Sequence, residues 1–394
     1  MSDGAKLVST RNQDKERANA LDSQAARFER IKVFVLLGRG FGGRNWQKRY
    51  EQGLIPGINE PLPYGYHRAA QGGIEIEYSQ DVDEYRLTGL LRRALCRTLG
   101  FDIVHIWRTR EQLRTSDVIW THTEREHLAA LLLLRSLPVQ KRPRIIAQSI
   151  WLFDNWSRLS WVRRSFYRWL LRQADVLTTL SPENLQVVRQ LLPESRSDLV
   201  LFGIRYQPVP FPVRLTCHRP VHIASLGSDM HRDWETLLEA FGNLGDFDVK
   251  VASAKVKSRY AKSMHNVSVQ PAKTREQVER LYEWADIVAV PLKPNLHGSG
   301  ISVILEAVIC RRPVIATDTG GLCAYFSGEE IYYVPVRDPV SMRQAALALA
   351  EDNDRRMGLV CAAERRIIES GLTSEMYALR HLKLSLDLLR PPRA

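Results

Sequence analysis

Cysteine is scarce and unordered in this chain: Cys96, Cys217, Cys310, Cys323 and Cys361 are scattered, odd in number and without CxxC spacing. Such a set speaks against a disulfide framework or a zinc site and for a reducing compartment. Long apolar runs are missing as well. The most apolar stretch, Leu128 to Leu134, falls far short of the ~18 residues that a membrane-spanning helix requires. The amino terminus lacks the apolar core of a secretory signal, so a cytoplasmic protein is expected. No short repeat or low-complexity tract occurs, and a hydrophobic content of 44% excludes wholesale disorder. Acidic residues are in deficit, 44 against 56 Lys and Arg, for a net charge of +12. Residues 1–210 hold 32 basic and 22 acidic residues, whereas the remainder is nearly balanced at 24 against 22. A basic first half suits an anionic partner (membrane headgroups, a lipid diphosphate or nucleic acid), or serves solubility alone.

What is present is length and alternation. The 394 residues are enough for two α/β domains with their own cores. Residues 1–30 are polar and read as a loose arm. From Ile31 onward, strand-like runs alternate with helical periods, the pattern of a doubly wound parallel sheet. Ile31–Leu37, Ile74–Tyr78, Ile103–Trp107, Val118–Thr121, Arg144–Gln148 and Val176–Leu180 are the strands of a first domain, residues 31–206. Prolines in Gln207-Pro-Val-Pro-Phe-Pro-Val213 cannot continue a strand or helix interior, which places a linker at 207–217. A second series, Val221–Leu226, Val249–Ala252, Val267–Gln270, Ile287–Pro291, Val314–Thr317 and Ile331–Val334, builds a domain over 218–372. A helix within 373–394 ends at Pro391-Pro392 and is available to pack back on the first domain.

The densest chemistry lies in Asn295-Leu-His-Gly-Ser-Gly-Ile-Ser-Val-Ile-Leu-Glu306-Ala, then Arg312-Pro-Val-Ile-Ala-Thr-Asp-Thr-Gly-Gly321. A strand ends, small residues turn, and a helix starts near Ile301. Gly298 and Gly300 admit a ligand close to the backbone, and free N–H groups at the helix start suit a diphosphate. Glu306 lies about a turn and a half into that helix, within reach of ribose hydroxyls. A tight turn with a surface glutamate is the plainer reading.

These segments resemble glycosyltransferase family 4 and its relatives with the two-domain GT-B fold. Ile304-Leu-Glu-Ala307, Arg312-Pro-Val-Ile-Ala-Thr317 and Gly320-Gly321 carry the match. The resemblance implies two Rossmann-like domains facing a cleft, with the donor held by the C-terminal half. It assigns Glu306 to the nucleotide ribose. The family's earlier glutamate, seven residues before, is replaced by Gly298, so backbone amides from Gly298 through Ser299 and Gly300 to Ile301 are expected to contact the donor instead. Val221-His-Ile-Ala-Ser-Leu-Gly-Ser-Asp-Met-His-Arg-Asp-Trp-Glu-Thr-Leu-Leu-Glu-Ala-Phe241 is similar to the family's first donor-domain strand and helix. The family's Arg position holds Ser228, and Arg232 falls at its Lys position. Arg232 is therefore the leading ligand for the departing diphosphate, with His231 and Lys293 as helpers.

Asp117-Val-Ile-Trp-Thr-His122 is similar to the family's Asp-Val-Val-His-x-His, which implies that His122 contacts the donor sugar while Trp120 replaces the other histidine. Gly38-Arg-Gly-Phe-Gly-Gly43 fits GxGxxG, yet no ribose-binding acid follows ~20 residues on. In the family a Gly-Gly pair here approaches donor phosphate and acceptor, a role open to Gly42 and Gly43. Asp81-Val-Asp83 imitates a metal-binding DxD but reads better as a surface turn, since the resemblance implies no required metal and no cofactor beyond the nucleotide sugar. The helical stretch Trp161–Arg172 interleaves aromatics with Arg163, Arg164, Arg168 and Arg172, suiting either an anionic inner leaflet or internal packing.

The expectation is transfer of a hexosyl or uronosyl group from a nucleoside diphosphate sugar to a saccharide or polyprenyl-diphosphate-linked acceptor, in surface polysaccharide assembly. The resemblance implies retention of configuration. An inverting enzyme would need a base, for which His122, Glu124 and Asp154 are available. Two rivals stand: a nicotinamide-dependent oxidoreductase using Gly38 to Gly43, and a non-enzymatic basic protein that binds nucleic acid or membrane.

Overall fold

A computed structural model describes residues 30–71, 73–207, 216–256 and 263–390. The expected N-terminal arm and most of the proline linker lie outside these. The described chain forms two compact units. One comprises residues 30–51, 60–201 and 374–390, and the other residues 52–59 and 202–373.

In the first unit, β1 (Ile31–Leu36), β2 (Ile74–Tyr78), β3 (Val118–Thr121), β4 (Arg144–Ser149), β5 (Val176–Thr179) and β6 (Ser197–Leu199) form one parallel sheet in the order β2-β1-β3-β4-β5-β6. β3 and β5 are buried throughout, as expected of parallel strands covered on both faces. The connecting helices are α1 (Gly43–Glu51), α2 (Arg86–Leu99), α3 (Ile103–Trp107), α4 (Arg110–Thr115), α5 (Glu124–Leu134), α6 (Trp161–Leu171) and α7 (Pro182–Leu191). A short 3-10 segment, Pro63–Ala69, precedes β2.

Ile103–Trp107 is a helix, not the strand that its apolar run suggested. Asp102 decides the matter: its side chain accepts from His105 N–H and caps the turn, so a run of five residues goes helical. Elsewhere the caps sit where sequence places Ser, Thr or Asp. Thr123 and Glu126 form a reciprocal capping box on α5, and Ser160 and Ser181 cap α6 and α7.

The second unit holds β7 (Val221–Leu226), β8 (Phe247–Ala252), β9 (Val267–Val269), β10 (Ile287–Val290), β11 (Val314–Thr317) and β12 (Tyr332–Val334), again all parallel, in the order β12-β11-β10-β7-β8-β9. α8 (Trp234–Phe241), α9 (Arg275–Trp284), α10 (Ile301–Ile309), α11 (Pro339–Glu351) and α12 (Asn353–Glu369) flank it. The final helix, α13 (Ser374–Leu389), belongs to the first unit. There it packs against the 3-10 segment and β4, and Trp120 Nε1 donates to Ser385 Oγ at 2.8 Å. Each sheet is thus Rossmann-like, with its own core.

Phe241 and Phe247 meet edge to face at 4.9 Å in the second core, both fully buried. Phe241→Ala should lower stability by about 3–5 kcal/mol, the usual cost of an aromatic cavity, read as a shift in denaturant midpoint. A loss under about 1 kcal/mol would mean that this core collapses readily around the void.

Candidate active site

Arg232 is the most unusual residue of the second unit. It lies between the end of β7 and the start of α8 and is 4% exposed. Its Nε and Nη1 have no hydrogen-bond partner. Burial lowers its pKa to about 10, against the pull of Asp229, Tyr282 and Glu306, so it remains a cation at neutral pH. Two turns give way to it. A Cβ at Gly227 would meet Arg232 Nε at 2.4 Å, and one at Gly300 would meet Nη1 at 2.9 Å. Gly300 also has φ +87° and forms the N-cap of α10. A buried guanidinium with donors unspent, beside a helix N-terminus, is a place prepared for an anion.

The other expected residues of this unit gather around the same turn. Gly298 has φ +69°, Ser299 donates its N–H to Asn295 Oδ1 at 3.1 Å, and the buried Ser299 Oγ has no partner. Ile301 N–H donates to Gly298 O at 3.2 Å. Lys293 is exposed and donates its backbone N–H to His231 O at 2.7 Å. Arg232 and Lys293 share the wall of a pocket of ≈ 440 Å³ with Lys255, Trp234 and Met264. Asp229 accepts from His231 Nδ1 at 3.2 Å and His297 Nε2 at 3.3 Å, and these three bring ligand atoms within 4.8 Å of one another, a grouping able to take a metal ion. His218, His222 and Asp286 form a second such group at the other end of β7.

Glu306 is buried in α10, and both its oxygens are engaged within the protein. Tyr282 OH donates to Oε2 at 2.8 Å and Ile58 N–H to Oε1 at 2.9 Å. The segment 52–59 passes so close that a Cβ at Gly57 would fall 2.2 Å from Oε1. Desolvation raises the carboxyl to about pKa 7, outweighing both hydrogen bonds and the Arg232 charge. Neither Tyr282 nor Ile58 is marked by any sequence motif, since each meets Glu306 only through the fold.

In the first unit His122 ends β3 in a closed polar ring. Its Nδ1 faces Tyr66 OH at 3.0 Å and Gln148 Nε2 at 3.3 Å, Tyr66 OH meets Tyr377 OH at 2.9 Å, and Tyr377 donates to Gln148 Oε1 at 2.7 Å. Because Gln148 Nε2 can only donate, Nδ1 accepts and the ring proton sits on Nε2. Tyr64 stacks on the imidazole with centroids 3.4 Å apart. Burial pushes the pKa down to about 3, so His122 is neutral near pH 7. It shares a pocket of ≈ 380 Å³ with Arg39, Arg92, Arg125 and Glu126. Glu126, held by Thr123 N–H and Oγ1 at 2.7 and 2.6 Å, is raised by burial to about pKa 7. Its capping-box spacing was visible in the sequence, but its place in the pocket was not. Of the other carboxylates considered as a base, Glu124 accepts from Ile150 and Trp151 N–H at 3.2 and 3.3 Å.

Gly42 and Gly43 have a reason to be glycine that involves no ligand. A Cβ at Gly42 would lie 2.5 Å from Asp81 N, and one at Gly43 would lie 2.8 Å from Tyr78 Cβ. Asp81 accepts from Gly40 N–H at 2.7 Å, Gly42 N–H at 3.2 Å and Asn45 Nδ2 at 3.1 Å, while Gly43 N–H goes to Ser79 O at 3.0 Å. The carboxylate that imitated a DxD motif thus fills the loop.

Residues 221–352 match the family model of group 1 glycosyl transferases, so the second unit carries a glycosyl transferase domain. No curated protein matches the chain. Among solved structures it is similar to sucrose-phosphate synthase from Thermosynechococcus elongatus, at 16% identity over 90% of this chain and 98% of that one, with a TM-score of 0.65. Anabaena HepE in complex with UDP-glucose is similar at 12% identity over 91% and 100%, TM-score 0.61. An E. coli trehalose-6-phosphate structure bound with UDP-2-fluoro glucose aligns at 11% identity over 92% and 100%, TM-score 0.61. The shared feature is the fold, two Rossmann-like domains of the GT-B type.

The raised pKa of Glu306 has a stability consequence of definite sign. A carboxyl at about 4.5 unfolded and about 7 folded stabilises the fold at low pH and loses that contribution as pH rises through about 7. The buried His122, His127 and His381, whose pKa values are lowered, act oppositely, losing stability as pH falls below about 6.5. Comparing wild type with Glu306→Gln isolates the glutamate. Urea denaturation should show the variant gaining on wild type by up to about 3 kcal/mol between about pH 5 and about pH 8. A pH-independent difference would mean that Glu306 titrates normally.

Proposed function

We propose that the chain transfers a hexosyl or uronosyl group from a nucleoside diphosphate sugar to a saccharide or polyprenyl-diphosphate-linked acceptor, in surface polysaccharide assembly at the inner face of the membrane. The observation that carries this reading is Arg232, a buried cation with two unspent nitrogens between two glycine turns. A leaving nucleoside diphosphate gains negative charge as the glycosidic bond breaks, and a fixed guanidinium stabilises that charge without reorganising. In this reading Ser299 Oγ, which has no partner, shares the load and Lys293 adds an exposed cation, whereas the expected amides of Ser299 and Ile301 are already given to Asn295 Oδ1 and Gly298 O. The group 1 family match over this unit supports a nucleotide sugar as the donor, as do the UDP-glucose and UDP-2-fluoro glucose bound in two structures of like fold.

Glu306 takes the nucleotide ribose in this reading, which requires the bond from Ile58 N–H to give way as the donor enters. His122, neutral and with its proton on Nε2, donates to a hydroxyl of the bound sugar. Such a group stabilises without removing a proton, which fits retention of configuration and chemistry without a metal better than an imidazole base would. The nicotinamide alternative has less support, because the amides of the Gly38–Gly43 loop are spent on Asp81 and Ser79.

Ligand-induced thermal stabilisation with UDP-, GDP- and ADP-sugars identifies the donor. Arg232→Ala should then lower turnover roughly a hundredfold while leaving affinity for the bare nucleoside within about threefold. Turnover within about twofold of wild type would move the diphosphate to another site, and stabilisation by none of the sugars would remove the transferase reading.

A further inference from the structure

Among the described residues, helix α2 is left uncovered on most of its circumference. Of its residues only Gly89 is buried, and Leu87, Leu90, Leu91 and Leu95 are 76%, 55%, 67% and 46% exposed. Helical geometry sorts the side chains into three arcs. The inner arc, Gly89, Arg92, Cys96 and Leu99, faces the protein, where Arg92 is ion-paired with Glu84 and Asp102. The outer arc carries the four leucines. Between them runs a basic arc, Arg86, Arg93 and Arg97, all exposed, and the helix contains no acidic residue. Single exposed leucines need no explanation, but a leucine arc bordered by a row of arginines does.

We propose that α2 is the surface by which this protein docks on an anionic lipid bilayer, lying in the plane of the headgroups with its leucines in the acyl boundary. Charge complementarity selects this occupant: an apolar arc alone would suit any hydrophobic partner, whereas apolar side chains flanked by arginine with no acid suit phosphate headgroups above hydrocarbon. The aromatic at the start of α6 extends the same surface. Trp161 is 78% exposed at the start of α6, and Arg163 ties that end to α2 by donating to Arg97 O and Thr98 O at 2.9 and 2.8 Å. Arg163 and Arg164 therefore hold the fold together, Arg164 bonding Leu159 O at 2.8 Å, and the docking charge belongs to α2 rather than to α6. The inner arc gives the arrangement a purpose. Arg92 and Cys96 line the pocket that contains His122, so the helix has lipid on one side and that pocket on the other. This deepens the proposed use of a lipid-linked acceptor and rests on that reading for its purpose, not for the docking itself.

The test is co-sedimentation of the full chain with vesicles of phosphatidylglycerol and phosphatidylcholine, against phosphatidylcholine alone. Binding to the anionic vesicles that weakens with salt is expected, with little to the neutral ones. A Leu87→Ser, Leu91→Ser, Leu95→Ser variant should lose tenfold or more, roughly, in partition coefficient. An Arg86→Glu, Arg93→Glu, Arg97→Glu variant should lose roughly a hundredfold. Both should keep the wild-type melting temperature and its shift with the stabilising nucleotide sugar, since the changed side chains are exposed. Equal binding of both variants and wild type, or equal binding to neutral vesicles, overturns the proposal. So does a wild-type dimer in lipid-free solution that the leucine variant converts to monomer, which would make the face a contact between copies. Vesicle binding by a chain that no nucleotide sugar stabilises would uphold docking and sink the transferase reading instead.

Discussion

The second unit is organised around one buried charge whose hydrogen-bond donors are incompletely met. Burying a guanidinium costs several kcal/mol unless its donors are met, and Arg232 keeps its charge while Nε and Nη1 go unmet. The local sequence follows from that constraint. Gly227 and Gly300 both have positive φ, and the guanidinium crowds the space of their Cβ atoms, at Gly300 together with Val290 Cγ1. The segment after β10 is held in register, with Asp233 N–H bonding Pro291 O and Lys293 N–H bonding His231 O. Gly320 packs where a Cβ would strike Asn295, whose Oδ1 fixes Ser299. Three strand-end loops thereby close around a cation that forms no ion pair among the described residues. An anion that entered would relieve the burial cost and gain the donors together, so affinity there is built from a strain already present in the fold.

The pocket in the first unit works by the opposite rule. Burial drives His122 and the two tyrosines beside it toward neutrality: the imidazole loses affinity for its proton, while the Tyr64 and Tyr66 hydroxyls hold theirs. The ring of His122, Tyr66, Tyr377 and Gln148 satisfies itself internally and fixes one tautomer. Such a network orients a hydrogen bond and stabilises no large charge. Under the proposed function, charge stabilisation and orientation would rest on separate chemistries, each in a unit with its own core.

Most of the sheet architecture was legible because parallel strands buried on both faces are written as short apolar runs. Ile103–Trp107 misled for that same reason, since a run of five cannot declare its period and Asp102 settled it. β6, Ser197–Leu199, left no apolar signature because all three residues are half-exposed. Arg232 and Glu306 could be named from local motifs, as both lie where a strand meets a helix. Their partners could not. Ile58 is 248 positions from Glu306, and Tyr377 is 229 from Gln148. Both contacts follow from chain segments crossing between elements, which no local pattern encodes. The outer face of α2 went unremarked for a different reason: a leucine stripe in sequence does not tell whether it is covered, and only the exposure of Leu87, Leu90, Leu91 and Leu95 in the fold does.

The two glycine loops make the electrostatic contrast sharpest. Both follow the first strand of a parallel sheet, at Gly38–Gly43 and at Gly227, the position where α/β sheets usually hold ligands. At the first, Asp81 supplies a carboxylate that accepts the amides of Gly40 and Gly42, so the loop carries its own anion. At the second, the carboxylate of Asp229 is bonded to His231 and His297, and Arg232 is left with donors to spare. A negatively charged ligand placed at the first loop would have to displace a tethered carboxylate at high effective concentration. At the second it would meet a buried cation and displace nothing. The same fold element thus carries its own carboxylate in one unit and a buried cation with unmet donors in the other, and that asymmetry favours the proposed donor site on physical grounds that are independent of any sequence motif.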